Sequence, residues 1–213
     1  IAHRQGAHAA RSPSPSLSTS PLPPSLPSLP QVIFLNSVLE RPKNQAAMIA
    51  SLINGTSYLT VLLGGHLADA VLGRGKTVLF ASGLACAGLM LLTVSAAVAT
   101  TLTSHVVDLA LFLSAEGCIA LAFGGIKPNV SPLGADQFDD FHPITGKPLN
   151  DKERFFGWYY FFINVGALLA ATLLVWVQTS VSWTLGFALP TAIALAALTA
   201  FVAGWRGYRL IPP

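Results

Sequence analysis

Five apolar stretches, each about as long as a lipid bilayer is thick, constrain this chain more than any other feature. They lie at about 46–68, 77–100, 106–127, 155–177 and 183–205. A helix needs about 20 apolar residues to cross the hydrocarbon core, where every backbone polar group must be satisfied internally. The composition agrees, because 53% of the residues are hydrophobic and only 10% are charged, against about a quarter charged in a soluble domain. We therefore predict an all-α, polytopic membrane protein.

The residues before these stretches divide into two parts. Residues 1–30 are rich in Ser, Pro and Leu, which predicts a low-complexity, disordered tail. Residues 31–40 hold a short apolar core of four residues, too few to cross a bilayer as a helix. We predict a partial span there. The first residue is Ile1 rather than Met, so we expect the sequence to be a fragment of a longer protein.

A lysine closes the fourth apolar stretch. Lys127 is followed by Pro128, which cannot donate to the carbonyl of Gly124, so a helix kink is predicted there. A lysine in a span either snorkels to the surface or faces a polar cavity. With the amide of Asn129 and the hydroxyl of Ser131 beside it, this arrangement favours a pathway for a solute or ion.

Polar residues also recur at helical spacing in two other spans. Asn54 and Tyr58 share one face of the second span, and Tyr160 and Asn164 share one face of the fifth. Such residues either line a cavity or hydrogen-bond a neighbouring helix, and the spacing alone does not separate these alternatives.

Glu116 lies in the middle of the fourth span, where a carboxylate is costly. It precedes Lys127 by eleven residues, or about 16 Å of helix, which is too far for a direct ion pair. Glu116 is protonated, is paired elsewhere, or is peculiar to this sequence, and we assign it no proton-carrying role on sequence grounds.

No pattern in the sequence predicts a cofactor, a metal site or an enzyme. Cys86 and Cys118 lie in apolar spans and are interpreted as small buried hydrophobic residues. An acidic cluster after the fourth span is interpreted as a solvated loop, because its spacing differs from that of a calcium loop. Its members are Asp136, Asp139, Asp140 and His142. A nucleophile with a base, or paired carboxylates within a span, is also missing.

The basic residues fall mostly on one side of the predicted membrane. The connections at 69–76, 134–154 and 206–209 contain seven lysines and arginines, whereas 101–105 and 178–182 contain none and 41–45 contains two. The excess of positive charge predicts that the first set is cytoplasmic. The net charge of +3 therefore needs no nucleic-acid partner.

Three motifs, in order along the chain, resemble the proton-coupled oligopeptide transporter family, which includes the plant nitrate and peptide transporters. They are NGTSYLT at 54–60 with GRGKT at 73–77, GGIKPNVSPLGADQFD at 124–139, and FFGWYYFFINVG at 155–166. The resemblance covers roughly residues 31–213. It implies the N-terminal six-helix bundle of a major-facilitator-type fold with an incomplete first helix, lacking the Glu-x-x-Glu-Arg motif of the family.

The resemblance also implies a function and a set of site residues. It implies proton-driven transport of small peptides, nitrate or related small solutes, in a plasma or vacuolar membrane. Four residues match substrate-contacting positions: Tyr58, Lys127, Tyr160 and Asn164. Asp69 and Arg74 match the loop motif of the superfamily and would form a conformational latch, the alternative being a solvated turn.

We expect the chain to need a C-terminal bundle and not to transport alone, since the partner acids of Lys127 and half of the cavity are missing. The alternative function is a non-transporting membrane subunit that binds a partner bundle.

Overall fold

The computed structural model describes residues 29–99, 105–139 and 150–210, which form an all-helical bundle. The predicted tail lies almost entirely outside the described residues. The helices are α1 (Leu29–Ser37), α2 (Lys43–Leu67, continued by the π turn Ala68–Leu72), α3 (Arg74–Val98), α4 (His105–Ala135), α5 (Asp151–Leu169, continued by the π turns Ala170–Leu174 and Val177–Val181) and α6 (Trp183–Ala203). A short 3₁₀ turn, Trp205–Gly207, follows α6. Helices α2 to α6 are each long and apolar enough to cross a membrane.

Two connections are shorter than the sequence predicted. The stretch 69–76, expected to be a connection, is helical except for Gly73, which has φ 78°. That backbone conformation is accessible mainly to glycine, and it lets α3 begin at once with Arg74. The turn ends with the Gly73 amide donating to the carbonyl of Ala68 at 2.9 Å.

Helix α4 continues past the predicted end at Lys127, and residues 131–135 are helical rather than part of a loop. Pro128 and Pro132 each remove one backbone donor, yet the helix runs through both. Gln137 closes it by donating through Nε2 to the carbonyl of Leu133 at 2.9 Å. The side chain satisfies a carbonyl at the helix end, where no further turn is available to do so.

Small residues allow α2 and α4 to cross closely. A Cβ atom on Gly64 would overlap the backbone of Gly124, and one on Gly124 would overlap the backbone of Thr60. Thr60 Oγ1 also donates to the carbonyl of Ala120 at 2.7 Å across the crossing. Asn129, predicted to lie beside a polar cavity, is instead buried at the crossing and approaches the carbonyl of Gly64 at 3.4 Å. Close backbone approach through small residues is how helices associate in membranes.

Helix α3 packs against α4 on one side and α6 on the other. The hydroxyl oxygens of Thr93 on α3 and Thr191 on α6 are 3.0 Å apart, and Thr191 Oγ1 lies 3.1 Å from the carbonyl of Leu89. These hydroxyls join α3 to α6.

Helix α1 fills the core at one end of the bundle. Phe34 is fully buried, stacks on Phe112 of α4 with ring centroids 5.5 Å apart, and meets Trp183 and Phe187 of α6 edge to face. In contrast, α5 has no buried residue between Asp151 and Leu169, where it touches the bundle near Phe155, which packs on Gly134. Its last π turn contacts α6 through Gln178, which is buried against Gly186. The core is therefore formed by α1, α2, α3, α4 and α6, with α5 at the edge.

Candidate functional site

Lys127 and Tyr58 meet where α4 and α2 lie side by side. Lys127 Nζ lies 5.2 Å from the ring centroid of Tyr58 and 5.2 Å from that of Phe123. A helical side chain points back toward the N-terminus of its helix, which places the lysine over Phe123, one turn earlier. The close crossing at Gly64 then brings α2 near enough for Tyr58 to supply the second ring.

This arrangement holds a cation without using its hydrogen-bond donors. The aromatic faces attract the positive charge through their quadrupoles. An ammonium group has three N–H donors, and these remain suited to an acceptor that approaches from the open side. Lys127 and Tyr58 are both exposed, Tyr58 with 69% of its surface accessible, so such an approach is open. The pair can bind a carboxylate or another small anion.

Tyr160 and Asn164 share one exposed face of α5, as their spacing predicted. Asn164 donates through Nδ2 to the backbone carbonyl of Tyr160 at 2.7 Å, and the Tyr160 ring lies near those of Phe156 and Tyr159. These contacts all lie within α5. In the described ranges, no ring contact, hydrogen bond or ion pair joins this pair to Lys127 and Tyr58.

The bundle also contains a partly open apolar cleft. This cleft of about 460 Å³ lies between α3, α4, α5 and α6, and its lining includes Val78, Ile126 and Phe155. None of the four predicted substrate-binding residues lines it. They lie on the outer surface of this single bundle.

Asp69 and Arg74, the two residues of the predicted latch, form an ion pair, and a third residue joins it. Arg74 Nε lies 3.5 Å from Asp69 Oδ1, and Arg74 Nη1 lies 3.0 Å from Asp136 Oδ2. Asp136 was interpreted as part of a solvated loop, but its side chain is only 18% exposed and joins the end of α4 to the start of α3. No local pattern could identify this contact, because 62 residues separate the partners.

A second charged contact holds the segment after α6 against the end of α4. Arg209 contacts Asp139 through both Nη atoms, at 2.6 and 3.4 Å. The Arg209 amide also donates to Gln137 Oε1 at 2.8 Å. The hydrogen bond and the charge of Arg209 lower the pKa of the Asp139 carboxyl, although both groups are exposed.

Two members of the acidic cluster after the fourth span form ion pairs with arginines. Asp136 contacts Arg74, and Asp139 contacts Arg209. Across the part of the chain that the structure describes, no group of three or more His, Cys, Asp or Glu side chains could hold a metal ion. Asp140 and His142 lie outside the described residues.

Comparisons with known proteins agree on one family. The sequence model described as "PTR2: POT family" matches residues 75–213. The Arabidopsis thaliana protein NRT1/PTR FAMILY 8.1 is 42% identical over 197 residues, covering 85% of this chain and 33% of the relative. NRT1/PTR FAMILY 8.3 from the same plant is 38% identical, with 85% and 32% covered. The chain thus spans about a third of the length of these curated relatives.

Solved structures give the same result. A crystal structure of the peptide transporter POT in complex with sulfate superposes with a TM-score of 0.67 at 25% identity, covering 84% of this chain and 34% of that one. The POT family transporter PepTSo superposes with a TM-score of 0.64 at 26% identity, covering 86% and 35%. The described helices therefore have the arrangement of one bundle of such a transporter.

Proposed function

The chain belongs to the POT family, and we propose from this premise that it supplies one bundle of a proton-coupled secondary transporter of small peptides, nitrate or related small solutes. The family is one of transporters rather than enzymes. The five apolar helices of this chain fit a multi-pass membrane protein. Two sets of names support these solute classes. The relatives are NRT1/PTR family proteins, and the superposed structures are peptide transporters. A plasma or vacuolar membrane is our proposed location.

One observation carries the proposal: the ammonium group of Lys127 lies over Tyr58 on the open surface of the bundle. An ionised side chain within a span is costly unless it faces a partner or a water-filled cavity. In the proposed site, Lys127 donates to an anionic oxygen of the solute, such as a peptide carboxylate or nitrate. Tyr58 keeps the ammonium group in position and offers its hydroxyl. Tyr160 and Asn164 add hydrogen bonds from α5.

The proposed cavity needs a second bundle. In secondary transporters of this kind, the solute binds near the midplane between two helical bundles that rock against each other. This chain supplies one of them, and the four site residues lie on its surface rather than in its cleft. We therefore propose that the 213 residues do not transport when they are alone.

The charged contact at Arg74 is proposed to act as the latch. Its guanidinium group joins Asp69, next to the end of α2, to Asp136, next to the end of α4. An exposed ion pair by itself contributes little, at most about 1 kcal/mol. The contact to Asp136 is the better shielded of the two, so we expect it to hold the three helix ends together while the bundle moves as a unit.

The test uses a full-length transporter that contains this chain, reconstituted in proteoliposomes with an inward proton gradient. Lys127→Ala should reduce uptake of a dipeptide or nitrate by about 10–100-fold, because a charge-assisted hydrogen bond is lost. Lys76→Ala, which removes an exposed lysine in the first turn of α3, is the matched control and should leave uptake unchanged.

Uptake that is unaffected by Lys127→Ala would refute the proposed site. A full-length protein that is folded, carries neither solute and yet co-purifies with another transporter would favour the non-transporting subunit.

A further inference from the structure

A carboxyl group and an amide meet deep inside the contact of α1 and α4. Gln31 Nε2 donates to Glu116 Oε2 at 3.0 Å, and Glu116 is only 3% exposed. The span of α4 runs from Val107 to Ala135, and Glu116 lies about 14 Å along it from Val107. The acid is thus near the middle of the bilayer, in contact with a residue from a helix 85 positions away in sequence.

The hydrogen bonding of this pair is incomplete as long as the acid is ionised. Gln31 Oε1 is buried and has no hydrogen-bond donor within reach among the described residues. A carboxylate can only accept, so an ionised Glu116 could not supply one. A protonated carboxyl has one O–H donor. It could donate to Gln31 Oε1 while accepting from Gln31 Nε2, closing a ring of two hydrogen bonds.

Among the described residues, no lysine or arginine forms an ion pair with Glu116. Helices α1 and α6 contain no Asp, Glu, His, Lys or Arg. The ionisable groups of α2, α3 and α5 lie in or near their first or last turns, apart from the Cys86 thiol of α3 and the phenols of three tyrosines. Within α4, the other ionisable groups are His105 and Asp108 in its first turn, the Cys118 thiol, and Lys127, which is about 16 Å away along the axis.

The charged and titratable groups of these helices are Lys43, Tyr58 and His66 on α2, Arg74, Lys76 and Cys86 on α3, and Asp151, Lys152, Glu153, Arg154, Tyr159 and Tyr160 on α5. Arg74 contacts Asp136, which follows the C-terminal end of α4 and lies about 30 Å along the helix axis from Glu116.

From this geometry we infer that Glu116 is a proton-binding site that fastens α1 to α4 through Gln31. A proton taken from water adds to a carboxylate oxygen of Glu116, and the resulting hydroxyl donates to Gln31 Oε1. When the proton leaves, that hydrogen bond is lost and a negative charge remains beside apolar side chains.

The site is separate from the proposed solute site at Lys127, and it adjoins the aromatic core. Phe34 is one turn after Gln31, and Phe112 is one turn before Glu116, so the same two helices carry the stacked ring pair. Because residue numbers rise along α1 while their partners fall along α4, the two helices are antiparallel here. Loss of the proton should therefore loosen the packing of Phe34 as well as the polar pair.

Infrared spectroscopy of the whole 213-residue chain in lipid nanodiscs tests the inference without requiring transport. A protonated carboxyl gives a C=O stretching band that a carboxylate lacks. At pH 7, we expect such a band in the wild type and in Glu153→Gln, which changes an exposed acid of α5. The band should disappear in Glu116→Gln. In Gln31→Leu it should move to higher wavenumber, because the hydroxyl loses its acceptor.

Thermal unfolding is the second measurement. The melting temperature of the wild type should fall as the pH rises from 6 to 9, by about 2–4 °C for the loss of one hydrogen bond. Glu116→Gln keeps a donor and an acceptor at the same place and should remove this part of the pH dependence. If the pH 7 spectrum has no protonated-carboxyl band that Glu116→Gln removes, the inference is wrong, whatever the melting temperatures.

Discussion

Gly124→Ala adds one methyl group at the closest point between α2 and α4, and it should destabilise the bundle. The new Cβ would overlap the backbone carbonyl of Thr60, which cannot rotate away as a side chain can. Overpacking of a tight contact costs about 1–3 kcal/mol, and the upper end applies to a rigid neighbour. Alanine regains about 1 kcal/mol over glycine in a helix interior. The net loss is then about 2 kcal/mol.

A loss of this size corresponds to a fall of about 4–8 °C in melting temperature for a chain of this length. Thermal unfolding in detergent micelles, followed by circular dichroism, would measure it. Gly117→Ala is the matched control, because it lies on the same helix and a Cβ atom there meets nothing within 4 Å. The control should melt at the wild-type temperature or slightly above. If both variants melted alike, the reasoning that the Gly64 and Gly124 crossing limits the packing of α2 on α4 would be refuted.

Three further predictions concern other contacts of the bundle. Phe34→Ala empties a fully buried position between α4 and α6 and should lower the free energy of unfolding by about 3–5 kcal/mol in detergent denaturation. Thr191→Val keeps the shape but removes the hydroxyl that faces α3, and it should cost about 1 kcal/mol in the same assay. The pKa of the Asp139 carboxyl, measured by NMR titration, should lie below the ordinary aspartate pKa of about 3.9, and Arg209→Gln should raise it. The ion pair therefore stabilises the folded chain at pH values above the ordinary pKa, and this stabilisation is lost as the pH falls through the lowered pKa.

Matched controls separate these effects from general damage. Phe162→Ala removes a ring that is 63% exposed on α5, and Thr199→Val removes a hydroxyl that contacts only its own helix. Both should change stability far less than their buried counterparts. Arg206→Gln removes a neighbouring exposed arginine and should leave the titration of Asp139 unchanged. Equal effects of a variant and its control would contradict the contact assigned to it.

The sequence alone determined the class of fold and the number of helices that are long and apolar enough to cross a membrane. Apolar stretches of bilayer length can satisfy their backbone only as helices, so their number and order could be read directly. The Tyr160 and Asn164 spacing predicted a shared face, since neighbours on a helix are fixed by its period. The turn at Gly73 before α3 depends on a backbone conformation that is a local property of glycine.

Only the tertiary structure decided which distant groups meet. Asn129 was expected beside a cavity, but the crossing of α2 and α4 buries it against Gly64. Asp136 was expected to be solvated, but Arg74 comes from another helix to contact it. The sequence did not identify a partner for Glu116, and in the structure Gln31 of α1 donates a hydrogen bond to it. Helical period fixes the face on which a side chain lies, whereas its partner depends on how the helices pack, and packing is set by small residues and rings far apart in sequence.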